Sequence, residues 1–122
     1  MRYVAALALM VLNTCGPSDD PVVCTNEARA GVIVKVADAS SGLPVGSDSV
    51  RVGVTEGTYS ETRVVAPSVA QGGLAMALER SGTYEVRVQA TGYEPWTAQN
   101  VIVAPDGCHV RSVTLDVRLR RN

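Results

Sequence analysis

Hydrophobic residues recur at every second position in several short stretches of the chain. Neighbouring side chains of a strand point to opposite faces, so this period of two predicts strands with one face in a core and one in water. Polar residues on the water face are typical of antiparallel sheets. The apolar positions of the five clearest stretches are Val32, Val34 and Val36; Val50, Val52 and Val54; Leu74, Met76 and Leu78; Tyr84, Val86, Val88 and Ala90; and Val113, Leu115, Val117 and Leu119.

Two further strands have a weaker pattern, at residues 59–65 and 96–103, with Val101 and Val103 inward and Ile102 outward. Ser81 and Gly82 join two clear stretches, which predicts a tight hairpin between them. Residues 66–73 are small and polar, and we expect an exposed, mobile loop there. No helical stripe of useful length follows residue 22.

The number and spacing of these stretches predict an all-β fold. Seven short strands with Gly and Pro between them favour a seven-stranded antiparallel β-sandwich over residues 24–122. The chain has no Phe and one Trp, so an aliphatic core is expected. A chain of 122 residues is long enough for one domain of ordinary size.

The N-terminal residues have the composition of an export signal. Arg2 precedes an uncharged apolar run over residues 3–12. As a helix this run would rise about 15 Å, half of a bilayer core, so a secretory signal over residues 1–14 fits better than a membrane span.

The segment Leu12-Asn13-Thr14-Cys15-Gly16 resembles the bacterial lipoprotein signal. The resemblance implies cleavage after Thr14, lipidation of Cys15, and a lipid-anchored tether over residues 15–23. Gly16 stands where an inner-membrane lipoprotein has Asp, which implies the outer membrane. Asn13 departs from the small residues that the family prefers, so an ordinary cleaved signal and a retained N-terminal anchor remain alternatives.

The other two cysteines form an even pair. An exported domain meets oxidising conditions, in which a disulfide between Cys24 and Cys108 forms and persists. Reduced thiols or a metal site are the alternatives. His109 is the one histidine, and adjacent strand residues point to opposite faces, so no metal site is expected.

Net charge and sequence motifs reduce the number of possible classes of function. Eleven basic and 12 acidic residues leave a net charge of -1, which disfavours nucleic-acid binding. The chain contains no nucleophile-elbow or phosphate-loop motif. We therefore expect a non-catalytic protein without a cofactor.

Three segments resemble carboxypeptidase regulatory-like domains. They are a strand ending in Asp38 with the turn after it (residues 34–45), the pattern Gly-x-Tyr-x-Val-x-Val-x-Ala-x-Gly-Tyr (residues 82–93), and the closing strand (residues 113–119). The resemblance implies a transthyretin-like (prealbumin-type) sandwich. Such domains are usually non-catalytic modules of exported proteins that serve interaction, stability or glycan contact. The enzymatic branch of the fold, the hydroxyisourate hydrolases, needs several histidines.

Aromatic and arginine side chains are the candidate contacts. Tyr59, Tyr93 and Trp96 lie near predicted turns, where exposed rings stack on sugars or anchor interfaces. The alternative is that Trp96 caps the aliphatic core. Arg87, Arg111 and Arg118 fall on predicted water faces and suit phosphate or carboxylate, although interleaved acidic residues favour an ordinary solvated surface.

These observations predict an exported, lipid-anchored cell-envelope module that binds an unidentified envelope protein. A carbohydrate-binding module that uses Trp96, Tyr93 and Tyr59 is the first alternative. A structural envelope lipoprotein is the second.

Overall fold

The computed structural model of the protein describes residues 24–122. The expected signal peptide (residues 1–14), the tether (residues 15–23) and Cys15 lie outside the described residues. The elements in chain order are β1 (Val32–Asp38), β2 (Val50–Glu56), β3 (Tyr59–Val65), α1 (Pro67–Gly72), β4 (Leu74–Met76), β5 (Gly82–Gln89), β6 (Trp96–Val103), β7 (Pro105–Asp106), β8 (His109–Val110) and β9 (Val113–Leu119).

Two sheets enclose one core, as in a β-sandwich. The three-stranded sheet has the order β4-β1-β9, and the four-stranded sheet has the order β3-β2-β5-β6. The inward side chains of both sheets pack into a single hydrophobic cluster. The all-β class is therefore confirmed. The described residues form nine strands, because a short hairpin of β7 and β8 adds two strands of two residues each.

The alternating pattern identified the inward faces correctly. Val52 and Val86 are fully buried, whereas Ile102 is 66% exposed between buried neighbours. Tyr84 points into the core, and its hydroxyl donates a hydrogen bond to the carbonyl oxygen of Arg80 at 2.8 Å. A buried phenol without such an acceptor would destabilise the fold, so this contact explains how the core accommodates a tyrosine.

One strand pair differs from the expected antiparallel arrangement. β1 and β9 are parallel, with Val32 opposite Val113 and Asp38 opposite Leu119. The first and last strands are therefore neighbours, in a mixed sheet. The alternating pattern did not predict this parallel pairing, because a strand with one wet face shows a period of two whether its neighbour runs parallel or antiparallel.

The prediction of a hairpin at Ser81 and Gly82 is wrong. β4 pairs with β1 and β5 pairs with β2, so the chain crosses from one sheet to the other between them. Ala77 and Glu79, in this crossover, have positive φ angles of 52° and 51°. Strand β4 ends at Met76, which leaves Leu78 exposed rather than inward.

The expected loop over residues 66–73 contains the short helix α1. Ala70 is fully buried against the core, and the side-chain amide of Gln71 donates to the carbonyl of Gly42 at 2.9 Å. The segment is therefore a helix rather than a loop and Ala70 is buried, although Ser68, Val69 and Gly72 are exposed as expected. Six helical residues make fewer than two turns, which is too short for a helical stripe to be visible in the sequence.

The disulfide between Cys24 and Cys108 is confirmed, with a Cα–Cα distance of 5.3 Å. Cys108 lies in the turn between β7 and β8, not at the start of β9. We call the end of the sandwich that carries this disulfide, Gly31 and Gly82 the proximal end. The opposite end, with Asp38 at the end of β1, is the distal end.

Candidate binding groove on the four-stranded sheet

The outer face of the four-stranded sheet is polar and is interrupted by a glycine. On β2 the outward positions are Arg51, Gly53 and Thr55, because the valines between them are buried. The register places Gly53 between Thr62 of β3 and Arg87 of β5. A residue without a side chain therefore lies in the middle of the sheet and leaves its backbone bare.

The fold itself does not require glycine at position 53. Its φ angle is not in the positive region, and an added Cβ would meet only the Thr62 hydroxyl oxygen, at 3.8 Å. Glycine inside a strand weakens it, and often marks a place where a ligand or another backbone approaches closely. Space for a side chain is present above Gly53, so the glycine leaves this part of the sheet surface open.

The glycine opens a groove of about 410 Å³. We call this the arginine groove, and its lining is Arg51, Gly53, Thr55, Thr62, Glu85, Arg87 and Gln89. A second hollow of about 410 Å³ extends it towards the distal end, past Ser49, Thr91, Tyr93 and Pro95. Arg51 and Gln89 line both hollows. Together they form an open, mostly polar channel across the outer face of the sheet.

The two guanidinium groups of the groove are available to a ligand. Within residues 24–122, Arg51 makes no ion pair. Arg87 contacts the Glu85 carboxylate at 3.6 Å, but the two side chains are 59% and 40% exposed. A contact of this kind is weak and screened by water, so an incoming carboxylate can replace it.

Beneath the distal end of the channel lies a buried carboxylate. Asp38 is 1% exposed and accepts hydrogen bonds from the Tyr93 hydroxyl at 2.6 Å and from Nε of Arg121 at 3.0 Å. The backbone N–H groups of Ser40 and Ser41 donate to its other oxygen. These donors hold the pKa of Asp38 well below its ordinary value of 3.8.

Tyr93 connects this carboxylate to the loop before β2. Its hydroxyl accepts a hydrogen bond from the N–H of Gly46 at 2.8 Å while it donates to Asp38. The side chain is buried, at 6% exposure, although it contributes to the wall of the distal hollow. Tyr93 therefore supports the channel from beneath and offers no open ring face for stacking.

The other two aromatic candidates also face inward. The ring of Tyr59 packs edge-on against Tyr84, the Arg80 guanidinium lies 4.1 Å from its centroid, and its hydroxyl donates to Glu61. Burial, together with the neighbouring Glu61, raises the pKa of Tyr59. Trp96 is half-buried against the core, opposite Val88.

The three aromatic residues do not form one platform. Tyr59 lies at the proximal end, opposite Glu56 in the hairpin of β2 and β3. Tyr93 and Trp96 lie towards the distal end, and Trp96 borders a separate hollow with Arg118 and Arg120. Sugar stacking on a shared aromatic surface therefore has no support in the geometry.

A hydrogen-bonded cluster near the disulfide was missed by the sequence analysis. His109 contacts the Thr25 hydroxyl through Nε2 at 2.9 Å and the Glu79 carboxylate through Nδ1 at 2.6 Å. The N–H of Arg29 also donates to Glu79, and this bond, with His109, lowers the pKa of Glu79. These residues are distant in sequence, so no spacing rule could have found them.

This cluster has the hydroxyl–imidazole–carboxylate order of some hydrolases. Neither hollow of the channel includes Thr25 or His109. The hydrogen bonds of this cluster instead fasten the segment after Cys24 to the crossover and to the β7–β8 hairpin. The cluster thus reinforces the disulfide at the proximal end.

Across residues 24–122, no group of three His, Cys, Asp or Glu side chains is placed to hold a metal ion. No helix in the same range has the length and apolar character needed to cross a bilayer.

Comparison with protein-family models found no match to this chain, and comparison with curated proteins found none either.

Proposed function

We propose that the protein is an exported, non-catalytic interaction module of the cell envelope, and that it binds its partner in the arginine groove. The observation that carries the proposal is the bare strand at Gly53 between Arg51 and Arg87. A glycine that the fold does not need, flanked by two accessible guanidinium groups, is better suited to recognition than to stability.

The position of the groove supports presentation from an anchor. Cys24 follows the proposed tether in sequence, and the disulfide fastens it to the proximal end. The channel runs the other way, from Gly53 towards Tyr93 at the distal end. A tether over residues 15–23 attached to a lipidated Cys15 would therefore join the domain at the end opposite Tyr93.

Export is supported by the disulfide, because such bonds persist mainly in oxidising compartments. We propose lipidation of Cys15 and an outer-membrane location on the resemblance of residues 12–16 to lipoprotein signals. The expected result is fatty-acid labelling and membrane fractionation of the full chain in a lipoprotein-processing bacterium, both lost in Cys15→Ser. Absence of label in the unmutated protein would contradict lipidation.

We also propose kinship with transthyretin-like, carboxypeptidase regulatory-like domains. Support comes from the turn of the resembling motif, where Gly92 has a φ of 86° and Tyr93 packs into the core. Carbohydrate binding through Trp96, Tyr93 and Tyr59 gains no such support, because their rings face inward. A purely structural envelope lipoprotein is the outcome that the following experiment would reveal.

The binding surface is tested by photo-crosslinking in the native host. A photoreactive residue replaces Thr55, which lines the groove, or Thr114, an exposed threonine on the outer face of the other sheet. We expect a discrete crosslinked product from position 55 that disappears when Arg51→Ala and Arg87→Ala are added. Equal products from both positions, or none from position 55, would contradict the proposal and favour a structural role.

A further inference from the structure

We infer that the arginine groove takes an extended segment of a partner protein with two acidic side chains two residues apart. This inference rests on the proposed function and names the chemistry of its ligand. It starts from the relative position of the two arginines. Arg51 is opposite Gln89 and Gly53 is opposite Arg87, so the arginines are diagonal neighbours on adjacent strands.

The spacing of the arginines matches that of an extended peptide. Diagonal neighbours on antiparallel strands are about 7–8 Å apart. Side chains on one face of an extended chain repeat every two residues, or about 6.6–6.8 Å. Acidic residues at positions i and i+2 of a bound segment would therefore meet Arg51 and Arg87 together, whereas adjacent acids would point to opposite sides.

The charges of the groove favour carboxylates and define the register. A guanidinium group binds a carboxylate through two parallel hydrogen bonds. Glu85 lies one row further along β5, opposite Thr55, towards the proximal end. It repels a third acidic side chain in that row, which restricts the acids to the rows of Arg51 and Arg87.

Gly53 lets the backbone of the segment come close. Without a side chain between Arg51 and Arg87, a bound chain can lie directly against the sheet. The Thr62 hydroxyl and the Gln89 amide, which also line the groove, are available to its peptide groups. A peptide is favoured over an acidic glycan because of the two-residue spacing and because no ring in the channel has an open face for a sugar.

The test measures binding of labelled peptides to the full chain in detergent. The first peptide carries Glu-Thr-Glu, the second has the same composition with the two Glu adjacent, and an oligogalacturonate is the third ligand. We expect the first peptide to bind at least about tenfold more tightly than the second, with an affinity that falls as salt rises. Equal binding of both peptides, or tighter binding of oligogalacturonate, would overturn the inference.

Matched variants show where the peptide binds. Arg51→Gln and Arg87→Gln should each weaken binding at least about tenfold. Arg111→Gln is the control, because Arg111 is exposed and pairs with Asp106 outside the groove. Equal losses in all three variants would show non-specific charge attraction and would overturn the inference.

A fourth variant separates binding from folding. Gly53→Val fills the groove with a residue that strands favour, so binding should be lost while the thermal unfolding temperature is kept or raised. Retained binding would overturn the inference. If the crosslink at position 55 persists while no acidic peptide binds, the groove is still a binding surface and only the ligand class is wrong.

Discussion

The two ends of the sandwich are closed by different chemistry. At the proximal end the Cys24–Cys108 disulfide joins residues 84 positions apart, and the His109 cluster lies beside it. Among the described residues, no disulfide lies at the distal end. Instead the buried carboxylate of Asp38 collects hydrogen bonds from Tyr93, Arg121 and two backbone N–H groups.

This difference means that the two ends respond differently to acid. A disulfide acts mainly by restricting the unfolded chain, so its contribution to stability depends little on pH. A buried charge cluster defines one native geometry and depends on the protonation of its members. The covalent closure lies at the proximal end, and the polar closure lies beneath the proposed binding channel.

Removal of the disulfide is expected to have the largest effect. Cys24→Ser with Cys108→Ser should lower the free energy of unfolding by about 4–5 kcal/mol, the loop-closure value for a separation of 84 residues. Urea unfolding at pH 7 measures this, and Cys15→Ser is the control. A loss below about 1 kcal/mol would mean that the non-covalent contacts alone close the proximal end.

Tight backbone packing at the proximal end gives the next largest effect. A Cβ on Gly31 would lie 2.7 Å from the carbonyl oxygen of Ala77 and 3.1 Å from that of Arg80. Gly31→Ala should therefore destabilise the protein by about 2–3 kcal/mol in urea unfolding. Gly53→Ala, where space is open, should be neutral or stabilising by up to about 1 kcal/mol. Equal effects of the two variants would refute the close approach.

At the distal end, loss of one hydroxyl should have a smaller effect. Tyr93→Phe leaves Asp38 without one donor and Gly46 without an acceptor, which should lower the free energy of unfolding by about 1–2 kcal/mol. The hydroxyl of Tyr59 is half-buried and contacts only Glu61. Tyr59→Phe should therefore lower the free energy of unfolding by no more than about 1 kcal/mol. The reverse order would place the main polar support at the proximal end.

Acid should affect the distal end, with little change near neutral pH. The pKa of Asp38 is lowered in the folded protein, so the unfolded chain binds more protons as pH falls below 3.8. Its contribution to stability is therefore fully present above the ordinary pKa and is lost as pH falls through the lower, folded value.

Unfolding measured between about pH 5 and pH 2 tests this dependence. Asp38→Asn should flatten the decline of stability with acid more than Glu79→Gln does at the proximal end, where the pKa of Glu79 is also lowered. An unchanged decline in Asp38→Asn would show that other carboxylates control acid unfolding.

The buried faces of the strands were predictable from the chain, but the pairing of the strands was not. Alternation placed Val52, Val86 and Val103 in the core correctly, because burial of a strand face depends on the residues of that strand alone. The same pattern suggested a hairpin at Ser81 and Gly82. Which sheet a strand joins depends on contacts with residues far away, and β4 and β5 join different sheets.

The arginine groove was likewise not predictable from the sequence. Arg87 was predicted to face water, and alternation with Val50, Val52 and Val54 puts Arg51 and Gly53 on the water face of their strand as well. An outward arginine on a single strand is nevertheless ordinary. Only the register of β2 against β5 brings Arg87 beside Gly53 and Arg51 diagonal to it. The inward burial of Tyr59, Tyr93 and Trp96 likewise became visible only when the strands were paired.

Local periodicity by itself determined the all-β class, the inward faces of the strands and the aliphatic core of this protein. Two cysteines behind a predicted export signal indicated the disulfide. Tertiary structure alone decided the parallel pairing of β1 with β9, the burial of Asp38 and the groove at Gly53. The reason is physical, because side-chain direction follows from the geometry of each strand, whereas charge clusters and grooves arise from residues that only long-range pairing brings together.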